Sequence, residues 1–114
     1  QEIRNLVCEA TKGLTFPTAR DVMAVMWVES RYNPQARNGK SKGLMQVNGG
    51  SYNPWVNIGQ GVSMLQDLYK VLSNPRSSFL AYNSGLGGFQ KGKSNPGYFD
   101  KVNKAKKELP SEIC

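Results

Sequence analysis

The residue best suited to chemistry in this sequence is Glu29, which follows an apolar run from Val22 to Val28. A helix that carries Val22, Val25 and Met26 on its buried face would place Glu29 on or beside that face. Burial disfavours the ionised carboxylate and raises its pKa, so Glu29 could hold its proton near neutral pH and act as a general acid. The alternative is an ordinary glutamate in the last turn of a helix, with its side chain in water.

Composition excludes several other kinds of active site. The 114 residues include no histidine and two cysteines. Nucleophile systems of the Ser-His-Asp and Cys-His types need a histidine, and zinc sites need more His or Cys ligands than this chain has. We therefore expect neither a metal nor a cofactor.

Length and hydropathy favour one domain over residues 1–114. No 18-residue apolar stretch is present, so we expect no membrane insertion. The sequence does not begin with the basic and then apolar segment of a signal peptide, which we interpret as a processed chain or an excised domain.

The two cysteines, Cys8 and Cys114, stand near opposite ends of the chain. A disulfide between them would close a loop of about 107 residues, worth roughly 4 to 5 kcal/mol in the chain-entropy model. It would anchor the C-terminal tail and would imply an oxidising compartment. The alternative is a pair of free thiols; we predict the disulfide.

The charge balance is strongly basic, with 15 Lys and Arg, eight Asp and Glu, and a net charge of +7. Such a chain is attracted to polyanions, including nucleic acid, acidic cell-wall polymers and anionic membranes. The basic residues are scattered except at 101–107, where a solvated helix face explains the cluster as well as a binding site does. No motif of a known nucleic-acid-binding module is visible, and we expect no specific nucleic-acid partner.

Hydrophobic periodicity predicts a mainly α fold. A first helix is predicted over residues 3–12, and a second follows Thr18, with Asp21 completing a capping box, and ends near Ser30. Residues 33–50 are rich in Gly, Asn and Pro and predict a loop with at most short extended or single-turn pieces.

Three more predicted features complete the chain. Asn57 can cap a third helix that runs to Leu72, and Pro75 can begin a fourth that ends at Gly85. A mobile stretch rich in Gly, Lys and Asn then reaches Pro96, and a last helix runs to about Leu109. No strand of useful length is predicted.

Four short segments match, in order and approximate spacing, the motifs of one enzyme family. The segments are Glu29-Ser30, Gly43-Leu44-Met45-Gln46, Asn53-Pro54 leading to Asn57-Ile58, and Ala81-Tyr82-Asn83-Ser84-Gly85. Together they resemble the lytic transglycosylases of the soluble, goose-lysozyme-like type, over residues 18 to about 102. Val47-Asn48 after Gln46 is most similar to the small phage- and secretion-associated members. The resemblance implies a small lysozyme-like single domain with a substrate cleft.

The resemblance also implies an activity. The expected reaction cleaves the β-1,4 bond between N-acetylmuramic acid and N-acetylglucosamine in peptidoglycan and leaves a 1,6-anhydromuramoyl end, with Glu29 as acid and then base. The protein would act outside the cytoplasm, in the periplasm, cell wall or a virion. It would be a monomer, alone or within a larger virion or secretion assembly.

The roles of individual residues follow from the same resemblance. Tyr82 would hydrogen-bond Glu29 and hold its orientation. The residues expected to bind substrate are Ser30, Asn38, Met45, Gln46, Asn48, Asn57 and Asn83. Many members of the family carry a serine at the position of Asn38, so this chain departs from the family pattern at that position. Four of these residues also have structural interpretations: Tyr82 and Met45 as core, Ser30 as a local partner at the helix end, and Asn57 as a cap.

Three aromatic residues, Tyr52, Trp55 and Tyr98, could stack on sugar faces or simply pack.

Two other functions remain open from sequence. A muramidase could hydrolyse the same bond with water activated by Asp67 or another acid, and a non-catalytic module could bind the cell wall without cleaving it.

Overall fold

Residues 2–114 are described by the structure, a computed structural model, and they form six helices and one small sheet. The helices are α1 (Glu2–Thr11), α2 (Ala19–Ser30), α3 (Pro54–Leu72), α4 (Pro75–Ser84), α5 (Leu86–Gln90) and α6 (Pro96–Glu108). The strands are β1 (Arg37–Asn38), β2 (Ser41–Lys42) and β3 (Val47–Asn48). The mainly α fold predicted from sequence is confirmed.

The boundaries of α2 follow the sequence prediction. The side chain of Thr18 accepts a hydrogen bond from the Asp21 backbone at 3.1 Å, and the Asp21 carboxylate accepts one from the Thr18 backbone at 3.0 Å. This capping box satisfies two backbone donors at the start of the helix. At the other end, Arg31 adopts a left-handed conformation (φ 52°) and its N–H closes the last turn on Trp27.

Three later helices begin with the same pair of residues, an Asn cap followed by Pro. The caps Asn53, Asn74 and Asn95 each accept a hydrogen bond from a backbone N–H of the first turn. Proline suits the next position because that residue has no intrahelical partner for an N–H. The prediction that Asn57 caps α3 is therefore wrong, since Asn53-Pro54 starts the helix one turn earlier.

The structure adds two features to the predicted chain. Residues 86–90 form the short helix α5, where a mobile Gly-rich stretch was expected, and Phe89 packs on the core. Within the loop at 33–50, β1, β2 and β3 pair antiparallel in chain order, with Arg37 opposite Lys42 and Lys42 opposite Val47. Strands of two residues are too short to show an alternating pattern in sequence.

The core lies between α2 and the helices around it. α2 packs against α1 and α6, and α4 packs against α3, α5 and α6. Fully buried apolar residues come from five helices and the loop: Val7, Val22, Val25, Met26, Leu44, Met45, Ile58, Leu65, Phe79 and Val102. Since α2 is apolar on most of its surface, its last turn carries Glu29 to the edge of this core.

The C-terminal tail is held in place at two points. Cys8 and Cys114 form the predicted disulfide, with Cα atoms 5.8 Å apart. The Arg20 guanidinium donates to the carbonyls of Lys106 and Ser111, both at 3.0 Å, and also to that of Pro110. These contacts fix the tail, and the end of α6 that precedes it, against α1 and α2.

Within residues 2–114, no helix combines the length and apolar character needed to cross a membrane.

Candidate active site

Glu29 lies in the last turn of α2, partly buried, with one carboxylate oxygen directed at α6. The Tyr98 hydroxyl donates to Glu29 Oε2 at 2.7 Å. Burial raises the pKa of Glu29, and the hydrogen bond from Tyr98 opposes that shift because it favours the carboxylate. The raised pKa that the sequence predicted is confirmed. A carboxyl group of this kind can donate a proton and later take one back.

Tyr98 is the residue that sequence reasoning missed. The sequence allows Tyr98 either to stack on a sugar or to pack. Its side chain is 4% exposed, which agrees with packing, and its hydroxyl is directed at Glu29, which the sequence did not predict. Burial, the Glu29 charge and their hydrogen bond all raise the pKa of Tyr98, which therefore remains a protonated donor. A signal was present in the sequence: Tyr98, Val102 and Ala105 recur at helical spacing, which puts Tyr98 on the buried face of α6.

Tyr82 does not make the predicted hydrogen bond with Glu29. Its hydroxyl donates to the backbone carbonyl of Met45 at 2.6 Å, so its one proton is used there. The Glu29 charge still acts on Tyr82: burial raises the pKa of the Tyr82 hydroxyl most, and the Glu29 charge raises it further. Tyr98 thus makes the hydrogen bond to Glu29 that was expected of Tyr82, and Tyr82 supports the Met45 backbone instead.

The backbone of Met45 is held from both sides. Its N–H donates to Asn57 Oδ1 at 2.7 Å, and its carbonyl accepts from Tyr82. The Met45 side chain is fully buried, so any contact of this residue with a ligand would involve the backbone. Residues 43–46, the Gly-Leu-Met-Gln segment, are therefore fixed to α3 and α4.

Asn57 is a buried connector between α3 and this loop. Its side chain is 0% exposed, and its amide nitrogen donates to the carbonyls of Lys42 at 2.8 Å and Ser51 at 2.9 Å. With the bond from Met45, the side chain makes three hydrogen bonds inside the protein. The prediction that Asn57 binds substrate is wrong, because no surface of its side chain is accessible.

Two glycines allow this close packing. A Cβ at Gly43 would overlap the Asn57 amide, and Gly43 also has a left-handed φ of 81°. A Cβ at Gly61 would overlap the Met45 side chain. The Asn57 amide therefore occupies the space that the absence of a side chain at Gly43 leaves open.

The remaining predicted residues fall into two groups. Two make internal hydrogen bonds: buried Ser30 donates to the Met26 carbonyl at 3.1 Å, and Gln46 Nε2 donates to the carbonyls of Ala36 and Gly43 at 3.0 Å. The others, Asn38, Asn48 and Asn83, are exposed on β1, on β3 and near the end of α4. No hydrogen bond within residues 2–114 joins these three side chains to Glu29.

Comparison with known protein families identifies the family of the chain. A family model described as Transglycosylase SLT domain matches residues 17–105. The chain belongs to this family. The matched region contains Glu29, the four motif segments and Tyr98, and the resemblance found in the sequence is confirmed. No curated protein and no solved structure shows a significant match to the chain.

Membership of the SLT family gives the fold and a general function. The small, mainly helical SLT domain is lysozyme-like, and the family supports a lytic transglycosylase-like function on peptidoglycan. Among residues 2–114, no group of three or more His, Cys, Asp or Glu side chains is placed to hold a metal ion.

The role of Tyr98 in this SLT domain can be tested by titration. Because its hydrogen bond lowers the pKa of Glu29, Tyr98→Phe should raise that pKa further while burial stays the same. Carbon-13 NMR of carboxyl-labelled glutamate would measure the shift. The matched control is Tyr69→Phe, because the Tyr69 ring stacks on Phe16 and makes no hydrogen bond with Glu29. This variant should leave the Glu29 titration unchanged. An unchanged or lower pKa in Tyr98→Phe would contradict this assignment.

The role of Tyr82 can be tested through stability. Tyr82→Phe leaves the buried Met45 carbonyl without its donor, which should lower the free energy of unfolding by about 1 to 3 kcal/mol. Urea denaturation measures this loss. The control is Tyr52→Phe, which alters a half-buried ring near Lys42. It should change the free energy of unfolding by less than about 0.5 kcal/mol. Equal stability of the two variants would refute the proposed support of Met45.

Proposed function

We propose that this SLT domain cleaves the β-1,4 bond between N-acetylmuramic acid and N-acetylglucosamine in peptidoglycan without consuming water. Glu29 is the single catalytic residue that transfers protons. The product is a 1,6-anhydromuramoyl end. The observation that supports this proposal best is that, among residues 2–114, no carboxylate other than Glu29 is both shielded from solvent and free of a structural partner.

The other seven acidic residues have different surroundings. Six are exposed: Glu2, Glu9, Asp67, Asp100, Glu108 and Glu112. The seventh, Asp21, is 5% exposed, but it completes the capping box and pairs with Lys106 at 2.7 Å. Asp21 precedes Glu29 by eight residues on α2, about 12 Å along the helix axis. Paired catalytic carboxylates in glycosidases are about 5 to 9.5 Å apart, so Asp21 is too distant to serve.

A reaction with one carboxylate needs the substrate to supply the nucleophile. In the first step Glu29 gives its proton to the leaving glycosidic oxygen, and the bond from that oxygen to the muramoyl C1 breaks. The N-acetyl group of the muramoyl unit supports the developing positive charge. The C6 hydroxyl oxygen then bonds to C1, and its proton passes to the Glu29 carboxylate. Glu29 is regenerated and no water is added.

The neighbours of Glu29 suit both halves of this reaction. The raised pKa favours the protonated acid needed for the first step, and the Tyr98 hydrogen bond stabilises the carboxylate between the steps. Tyr82 acts through the Met45 backbone, and we assign it a positioning role. The Gln46 side chain and the exposed amides of Asn38, Asn48 and Asn83 are the proposed contacts to the N-acetyl and hydroxyl groups of the sugars.

Mass spectrometry of released muropeptides tests the proposal. Purified peptidoglycan is incubated with the protein, with Glu29→Gln and with Asp67→Asn. We expect the protein and Asp67→Asn to release products one water lighter than reducing muropeptides, and Glu29→Gln to release none. Reducing ends that disappear in Asp67→Asn would indicate a muramidase, and binding without release would indicate a wall-binding module.

The substrate also bears on where the protein acts. Peptidoglycan lies outside the cytoplasm, and the Cys8–Cys114 disulfide is typical of oxidising compartments. We propose action in the periplasm, cell wall or a virion, by one catalytic domain. Monomeric action and membership of a virion or secretion assembly remain predictions from the sequence.

A further inference from the structure

A basic groove of about 310 Å³ lies between α2 and α6. It is lined on the α2 side by Trp27 and Arg31 and on the α6 side by Lys101, Lys104 and Glu108. This volume is at the lower end of the range for small-ligand sites and fits a short polar segment. We call this feature the α2–α6 groove.

The α2–α6 groove has more positive charge than the protein itself neutralises. Arg31, Lys101 and Lys104 line it against the single carboxylate of Glu108. None of these four side chains forms an ion pair within residues 2–114, in contrast to Lys106, which pairs with Asp21. Three like charges around one cavity repel one another, and an anionic ligand would relieve that repulsion. The lysine cluster at 101–107 is thus divided, with Lys106 structural and Lys101 and Lys104 facing the groove.

The wall of the groove supplied by Trp27 is apolar and partly open. Trp27 is 39% exposed, although most residues that precede it on α2 are buried. The Arg31 guanidinium lies 5.0 Å from its ring centroid, and the Tyr32 ring packs at 5.4 Å. The stacked guanidinium is held in place by the indole and presents its N–H donors at the groove, which suits recognition of a carboxylate.

The α2–α6 groove is separate from the site at Glu29. Trp27 precedes Glu29 by two residues, which is about 200° around the helix. The indole therefore faces the side of α2 opposite the catalytic carboxylate. A ligand in this groove would bind the enzyme without occupying the bond-cleaving site.

We propose that the α2–α6 groove binds the carboxylates of the peptide branches of peptidoglycan. This inference rests on the proposed function, because it adds a peptide contact to the glycan contacts around Glu29. A peptide branch carries carboxylates for Arg31, Lys101 and Lys104 and methyl groups for the Trp27 face. The three cations surround one short cavity, which matches a short peptide better than a long nucleic-acid backbone.

Binding is tested first with a free peptide, so that the result does not depend on catalysis. The probe is the synthetic tetrapeptide Ala-γ-D-Glu-Lys-D-Ala, and its control is the same peptide with both carboxylates amidated. Trp27 fluorescence is followed in a Trp55→Phe background, since Trp55 is the second tryptophan. The groove variant combines Arg31→Gln, Lys101→Gln and Lys104→Gln. A matched variant with equal charge loss, at exposed sites that do not line the groove, combines Lys12→Gln, Lys70→Gln and Lys107→Gln.

The groove variant should bind the tetrapeptide about tenfold more weakly than the matched variant, from the loss of three partly exposed charge contacts. The amidated peptide should bind weakly to both. Equal affinity of the two variants, or no saturable binding to the unmodified protein, would overturn the proposal.

Cleavage assays then separate this proposal from the proposed function. Strands that carry peptides are compared with strands stripped of them by an amidase. The groove variant should lose about tenfold in kcat/KM on the peptide-bearing strands only. An equal loss on both substrates would overturn the peptide assignment. If no variant cleaves either strand, the proposed function fails, while the fluorescence result still decides the groove.

Discussion

Glu29→Gln should lower the rate of muropeptide release by about 1000-fold or more while the protein remains folded, because one side chain supplies both the acid and the base. Glutamine preserves the shape of the side chain and can accept the Tyr98 hydrogen bond, but it can neither donate nor recover the reacting proton. Rates of release from purified peptidoglycan measure the effect.

The same substitution should increase thermal stability at neutral pH. Burial raises the folded-state pKa of Glu29 above its ordinary value of about 4.5. As pH rises through 4.5, Glu29 ionises in the unfolded chain while it is still protonated in the folded protein. The free energy of folding therefore becomes less favourable until the pH exceeds the folded-state pKa. Glu29→Gln removes this cost. We expect its melting temperature to exceed that of the unmodified protein at pH 7 and to match it near pH 3, as measured by calorimetry.

The matched control for both effects is Glu9→Gln, which makes the same chemical change at an exposed position of α1. It should retain full activity and show no such gain in stability. Retained activity in Glu29→Gln would remove the basis of the proposed mechanism. A loss of stability at pH 7 would show that the buried carboxylate contributes favourably to folding.

Asn57→Ala should have the largest effect on stability among the site residues. It leaves the Met45 N–H and the carbonyls of Lys42 and Ser51 without their partner. Because each unpaired buried group costs about 1 to 3 kcal/mol and water can enter the space, we expect a total loss of about 3 to 4 kcal/mol. That is a large fraction of the roughly 5 to 15 kcal/mol typical of a domain. Urea denaturation measures the loss, and hydrogen exchange at the Met45 amide reports whether the loop is released.

Two further variants define the role of Asn57. Asn57→Asp keeps the acceptor for Met45 but donates to neither carbonyl in its ionised form, so its folded state should also be destabilised. Asn5→Ala, at an exposed position of α1, should change stability by less than about 0.5 kcal/mol. Unchanged stability and unchanged protection at Met45 in Asn57→Ala would show that the loop is held by other contacts.

The sequence alone determined the features that depend on local order along the chain. The apolar run before Glu29 predicted a buried acid, and the structure shows burial raising its pKa. The Thr18 and Asp21 capping box depends on a spacing of three residues, which is visible without any tertiary information. Absence of histidine excluded whole classes of active site. The order of the motifs identified the family.

The tertiary structure decided which side chains meet. Tyr82 and Tyr98 are both aromatic residues on buried helix faces, and no sequence pattern states that Tyr98 reaches Glu29 while Tyr82 reaches the Met45 carbonyl. Asn57 could be a cap, a substrate contact or a buried connector until the loop at 43–51 is placed against α3. The α2–α6 groove likewise requires the crossing of two helices that are distant in sequence. Periodicity fixes the face of each helix, whereas a hydrogen bond also depends on how the packed helices are placed relative to one another.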